Sequence, residues 1–121
     1  MTRIDFLRVA EAMMKDYQNN TCVGQYLRES QKQAKNWPKF RPTRKNAELW
    51  LNNYAKKYGS QFYFDFYGMS GRNIMATEGY NGQNMIIDLD NSRIVVTNSA
   101  ATAWDVRIFM LDVIDSGTLP E

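Results

Sequence analysis

Gln61-Phe62-Tyr63-Phe64-Asp65-Phe66-Tyr67 is where the chain changes its period. Upstream, apolar residues recur at helical spacing. Here Phe62, Phe64 and Phe66 alternate with Tyr63, Asp65 and Tyr67, which predicts a strand with one apolar face. Downstream, Met69-Ser70-Gly71-Arg72 reads as a turn, Asn73 to Thr77 as a second strand and Gly79 to Gly82 as a tight glycine-flanked bend. Gln83 to Asp88 and Arg93 to Thr97 are β-rich runs separated by Leu89-Asp90-Asn91-Ser92, which predicts an antiparallel hairpin. Four strands in a meander result. A helix follows from about Ala103 to Asp115, with Trp104, Ile108 and Leu111 on one face, Thr102 and Asp105 at its start and Gly117 past its end. That apolar stripe needs a sheet to lie on.

Working upstream from the same stretch, residues 2 to 18 read as a helix. Phe6, Val9, Ala10, Met13 and Tyr17 form its stripe, and Thr2 with Asp5 makes a capping-box start. Asn19 and Asn20 stop it. A shorter helix from about Gly24 to Lys35 carries Tyr26 and Leu27 as its apolar residues. Asn46 to Lys57 reads as a third helix with Ala47, Trp50, Leu51 and Tyr54 in line and Gly59 past its end. Helices first, then an antiparallel sheet, then a helix lying back on it is the α+β arrangement. The chain reads as one domain or domain fragment, 1–121, with a helical part at 1–58 and the sheet and last helix at 59–121.

The 121 residues are 44% hydrophobic, with Trp 3, Tyr 7 and Phe 6, which places the chain among globular proteins rather than disordered ones. It contains no histidine and one cysteine, Cys22, so an intramolecular disulfide, a His or multi-Cys zinc site and every histidine-based triad are excluded. No metal or cofactor is implied. No run approaches a membrane span and no signal peptide is written at the start, so the chain reads as cytoplasmic.

The net charge is +2, but Lys32, Lys35, Lys39, Arg41, Arg44 and Lys45 lie between Gln31 and Asn46 with no acid among them, leaving the rest net acidic. With Trp37 and Phe40 interleaved, residues 31–46 could track a phosphate backbone by cation contacts and stacking. The competing reading is a solvated connector, with Pro38 and Pro42 blocking a continuous helix. The modest overall charge argues against a dedicated nucleic-acid domain.

Asn73 to Asn98 runs Asn-Ile-Met-Ala-Thr-Glu-Gly-Tyr-Asn-Gly-Gln-Asn-Met-Ile-Ile-Asp-Leu-Asp-Asn-Ser-Arg-Ile-Val-Val-Thr-Asn. It resembles the C-terminal end of the serine β-lactamase and penicillin-binding-protein-like family, in particular its class C β-lactamase, esterase and 6-aminohexanoate-dimer hydrolase branch. There a strand ends in a small-residue motif and a glycine turn. A strand closing in an Asp-containing turn, a Val/Ile strand and a long C-terminal helix follow. Gly79-Tyr80-Asn81-Gly82-Gln83, Met85 to Asp88, Asp90, Ile94 to Val96 and the Trp104 helix match that order. The start, Thr2-Arg3-Ile4-Asp5-Phe6-Leu7-Arg8, resembles the family's Thr-x-x-Asp-Leu-x-Arg helix, which there lies inside the hydrolase. The likeness covers nearly the whole chain, weakest from Lys32 to Lys57, but only about the last third of such a hydrolase.

The resemblance implies amide, ester or β-lactam hydrolysis in a longer parent, which could be exported. That chemistry needs a Ser-x-x-Lys pair and a Tyr-x-Asn. Three residues after Ser30, Ser60, Ser70, Ser92, Ser99 and Ser116 stand Gln33, Tyr63, Asn73, Val95, Thr102 and Leu119, so no Ser-x-x-Lys exists. The one Tyr-x-Asn, Tyr17-Gln18-Asn19, ends a predicted helix out of the family order and reads as chance. The family's Lys/His-Thr/Ser-Gly motif falls at Thr77-Glu78-Gly79, without its basic residue, and the implied oxyanion donor is the N–H of Tyr80. The substrate wall implied by resemblance is thus Thr77, Glu78, Gly79, Tyr80, Asn81, Gly82 and Gln83, with no catalytic residue in this chain. A plain β-turn is the other reading of Gly79 to Gln83.

Glu78 with Asp88 or Asp90 would make a carboxylate pair, but both aspartates sit at a predicted hairpin end and read as solvated turn residues. Two functions of different class remain open. One is an inactive C-terminal part of a hydrolase, whose partner is the rest of the parent, or which self-associates through exposed apolar surface. The other is a self-sufficient binding module using Lys32, Lys35, Trp37, Lys39, Phe40, Arg41, Arg44 and Lys45 for nucleic acid or an acidic partner.

Overall fold

Thr2 opens the first helix as read: its hydroxyl accepts from the Asp5 N–H at 3.1 Å, and the Asp5 carboxylate accepts from the Thr2 N–H at 3.3 Å. The computed structural model describes residues 2–37, 51–67, 69, 71–79, 83–98 and 113–114. Helix α1 spans Arg3–Asn19 and ends at Asn20 in a left-handed conformation. Helix α2 spans Cys22–Gln33, capped by Thr21. A Cβ on Gly24 would lie 1.8 Å from the Asp16 carbonyl oxygen, so only glycine lets α2 cross this close to α1.

The buried face of α1 is Ala10, Met14 and Tyr17 with Phe6 and Met13 half-buried, while Val9, expected in the stripe, is exposed. On α2, Leu27 is buried as expected, but Tyr26 points outward at 59% exposure.

Among the described residues the antiparallel meander expected downstream is extended by two strands to six in sequential order: β1 (Lys35–Asn36), β2 (Ala55–Gly59), β3 (Phe62–Phe66), β4 (Ile74–Gly79), β5 (Gln83–Asp88) and β6 (Arg93–Thr97). The architecture is α+β. Of the expected helix over 46–57, residues 46–50 lie outside the described residues and the rest is corrected: Leu51–Tyr54 is one 3-10 turn, and Ala55–Gly59 pairs with β3. Ser60 and Gln61, both at positive φ (50° and 68°), make the two-residue turn that suits a twisted hairpin, and the pairing overrides the helical pattern.

The expectation of one apolar face on β3 is also corrected. Phe62 and Phe64 pack toward α1 and α2 with Met75, Met85 and Ile87, whereas Phe66 joins Leu51, Ala55, Ile74, Ala76 and Ile86 on the other face. Between them Asp65 sits at φ 59°, and this left-handed residue breaks the period-two alternation so that the next side chain leaves on the opposite side. Ile74, Met75, Ala76 and all of Asn84 to Leu89 are buried, so the middle strands are covered on both faces.

Helix α1 lies over β5 and β6, and α2 reaches β2. On the far face Ile114 is fully buried in the Phe66 cluster, and Val113–Ile114 is helical. Trp104, Ile108 and Leu111 lie outside the described residues. No helix among the described residues is long and apolar enough to cross a membrane.

Candidate functional site

Thr77, Glu78 and Gly79 are the last residues of β4 and face Met85, Asn84 and Gln83 of β5. All three are half-buried. A Cβ on Gly79 would lie 2.8 Å from the Gln83 Cβ and 3.1 Å from the Gln83 carbonyl oxygen, so the hairpin closes at this width only because residue 79 lacks a side chain. Tyr80, Asn81 and Gly82 lie outside the described residues.

Strand alternation puts Glu78, Asn84 and Thr97 in one row across β4, β5 and β6, on the face away from α1. Asn84 is 3% exposed and its backbone N–H reaches the Thr97 hydroxyl at 3.3 Å. Its side-chain Oδ1 is buried with no hydrogen-bond partner among the described residues. Buried acceptors are nearly always satisfied, so this end of the sheet carries an unmet capacity to accept. The row offers hydroxyl, amide and carboxylate groups that can position a polar ligand. It holds no activated nucleophile.

The opposite end of the same hairpin is closed. Asp88, expected in a solvated turn, is fully buried; Arg72 Nη1 donates to its Oδ2 at 2.8 Å and Asn91 Nδ2 donates to both oxygens at 3.0 Å. Arg93 donates from Nη2 to the Val113 carbonyl at 3.2 Å, with its buried Nε unpartnered. Glu78 is four strand positions from the level of Asp88, about 13 Å, so the two carboxylates are not brought together. Asp90 is exposed and accepts from Asn73 at 3.3 Å.

Sequence reading missed a cleft of about 550 Å³ lined by Tyr17, Asn20, Gln25, Arg28, Glu29, Gln31 and Lys32. At its floor the Tyr17 hydroxyl donates to Gln31 Oε1 at 2.9 Å, Gln31 Nε2 donates to Asn73 Oδ1, and Asn73 Nδ2 donates back to the Tyr17 hydroxyl at 2.9 Å. The Arg28 guanidinium lies 3.9 Å above the Tyr17 ring and donates to the Tyr17 carbonyl at 2.8 Å. The closed ring of bonds fixes Tyr17 as a strut rather than a base. Its members come from three distant segments, and no spacing in the sequence announces them.

Of the basic segment, Lys32 and Lys35 are exposed. The Trp37 ring packs 5.2 Å from Tyr58 and 5.6 Å from Tyr63, centroid to centroid, so it serves the aromatic core instead of standing free as a stacking platform. Lys39, Phe40, Arg41, Arg44 and Lys45 lie outside the described residues. Among the described residues no three His, Cys, Asp or Glu side chains gather as a metal site. Comparison with known proteins finds no family model, no curated protein and no solved structure that matches this chain.

Proposed function

We propose that this chain is the C-terminal, sheet-bearing part of a β-lactamase-like serine hydrolase, in which it supplies one wall of the substrate site and not the nucleophile. The observation that carries the reading is the turn end of the β4–β5 hairpin. There Gly79 leaves the strand bare of side chain against Gln83, and the neighbouring row of Glu78, Asn84 and Thr97 presents polar groups, one of them with an unmet acceptor. β4 is paired with β5 through Gly79, while its ladder to β3 runs only over Ala76 and Met75, so a substrate acyl group would lie against the last residues of β4, and the N–H next in sequence after Gly79 would steady a developing oxyanion. Losing one such donor costs about 10² to 10³ in rate, which makes the segment a contributor to hydrolysis and not its source.

In the parent, an upstream Ser-x-x-Lys would form the acyl-enzyme with an amide, ester or β-lactam, and this chain would hold the acyl oxygen and close the site. Glu78 stands where the resembled motif has Thr or Ser, which adds a carboxylate to the wall and favours substrates carrying a donor or a cation there.

The test has two arms. Reading the coding frame upstream of Met1 should reveal an in-frame Ser-x-x-Lys followed by a Tyr-x-Asn; a stop codon with a ribosome-binding site immediately before Met1 contradicts the reading. The isolated chain should turn over neither a chromogenic cephalosporin nor a p-nitrophenyl ester above buffer, and turnover by it contradicts the assignment of the nucleophile elsewhere.

A further inference from the structure

We propose that the outer edge of β6 joins the same edge of a second copy of this chain, giving a two-fold dimer with one continuous sheet and the two α1 helices side by side on one face. Two separate observations meet at this edge. First, β6 is the last strand of the sheet among the described residues, and beyond the ladder to β5 no backbone hydrogen bond ties Ile94, Val95 or Val96 to another described residue. In an antiparallel ladder alternate residues turn both N–H and C=O away from the paired neighbour, so a row of donors and acceptors faces outward. Of the usual protections only one charge, Arg93 at the strand's first position, is present, and its guanidinium donates to the Val113 carbonyl; Arg93–Thr97 contains no proline, no lysine and no acid.

Second, Ile4, Leu7, Glu11, Met14 and Gln18 are spaced along one stripe of α1. The C-terminal half of this stripe is seated. Met14 is buried, and Gln18 Nε2 donates to the Leu89 carbonyl at 2.9 Å and to the Ser92 hydroxyl at 2.8 Å, in the turn between β5 and β6. The N-terminal half is bare, with Ile4 63% and Leu7 42% exposed. Because α1 lies over β6 and β5 and Gln18 carries this stripe to the β5–β6 turn, we infer that the bare half faces the β6 side of the sheet.

A second copy satisfies both features at once. Two-fold pairing centred on Val95 sets Arg93 opposite Thr97 and Ile94 opposite Val96, so like charges do not meet and β-branched side chains face each other. The axis stands perpendicular to the sheet and keeps both α1 helices on the same face. With strands about 4.8 Å apart and α1 centred over the last two, the helix axes come within about 10 Å, the distance at which helices pack. Leu7 and Ile4 of each copy then lie against the other's α1. A lone extended peptide would pair with the edge yet leave Ile4 and Leu7 in water. The inference does not depend on the hydrolase reading.

Sedimentation velocity of the intact chain from about 1 µM to about 1 mM, with amide hydrogen exchange at each concentration, tests it. The expected result is a monomer–dimer equilibrium in which alternate β6 amides gain protection only as the dimer forms. Leu7→Glu, at a site exposed in the monomer, should leave the dilute circular dichroism unchanged and weaken dimerisation about 10-fold or more. Ile4→Lys should act in the same direction. A chain that stays monomeric overturns the proposal. So does an assembly other than a dimer, a dimer with unchanged β6 exchange, or variants that dimerise as well as the parent chain.

Discussion

At one end of the β4–β5 ladder, where Ile74 faces Asp88, a fully buried carboxylate is gripped by Arg72 and by Asn91; at the other, where Gly79 faces Gln83, a buried amide oxygen on Asn84 has no partner among the described residues. The two ends belong to the same pair of strands and the same core, so burial alone does not explain the contrast. A buried charge left unpaired would cost several kcal/mol, and the chain meets that demand with a clasp. An uncharged acceptor costs less when orphaned, and the orphan is tolerated at the end where the backbone is laid bare by glycine. Local rules are kept where the sheet must be held and relaxed at the glycine end.

The clasp is the larger effect. Arg72→Ala removes the charge partner of an aspartate with no solvent contact and leaves only the Asn91 amide. We expect a loss of about 3 kcal/mol, read as a lower midpoint in urea unfolding. A loss below about 1 kcal/mol, the size of a surface pair, would mean that the two ends are not different in kind.

At the glycine end, Gly79→Ala pushes a methyl group against the Gln83 Cβ and carbonyl. A Gln83 side chain can swing aside but its backbone cannot, so the turn end of the hairpin must widen at about 1 to 2 kcal/mol. Amide exchange should speed up at residues 77–79 and 83–85 while the Ile74 and Asp88 level stays protected. Equal loosening of both ends would erase the distinction drawn between them.

Much of this was readable from residue patterns, and the failures have physical causes. The hairpin of β5 and β6 was legible because Gln83 to Asp88 and Arg93 to Thr97 are bounded by turn residues that cannot continue a strand. The Thr2–Asp5 cap was legible because both its bonds are local. Ala55–Gly59 was misread because Lys56 and Lys57 favour a helix in isolation, and only the turn at Ser60 and Gln61 commits the segment to pairing. The switch of Phe66 to the far face was hidden in the φ of one residue, Asp65. Asp88 looked like a turn residue because its partner lies 16 positions away, beyond any local pattern.

Helix α1 links the two ends: its C-terminus is pinned to the closed side by Gln18, and its N-terminus, away from that turn, depends on Thr2. The Thr2 hydroxyl and N–H hold the Asp5 carboxyl below its ordinary value, and the Lys15 ammonium does the same for Glu11. A carboxyl lowered in the folded state stabilises the fold above its unfolded value, and that contribution is lost as pH falls through the folded one. As pH falls below the ordinary carboxyl range of about 4 and through the lowered folded values, the first turns of α1 should therefore fray while Asn19 and the Leu89 turn hold, as followed by amide exchange. Thr2→Ala should produce the same local fraying at neutral pH, at about 1 kcal/mol.

The smallest effect is the sharpest test of the open end. Asn84→Leu replaces a buried amide, whose oxygen is unmatched, by an apolar group of similar volume facing Glu78 and Thr97. Removing a polar group that has no partner relieves a desolvation cost, so the urea midpoint should rise or move by less than about 0.5 kcal/mol, in contrast to the loss expected of Arg72→Ala. If Asn84→Leu instead cost as much as breaking the clasp, its amide would be holding the three strands together, and the polar row would be part of the frame rather than a surface left open for a ligand. If the fold is kept, the same variant placed in a longer parent should impair substrate binding without touching stability, which separates a recognition role from a structural one.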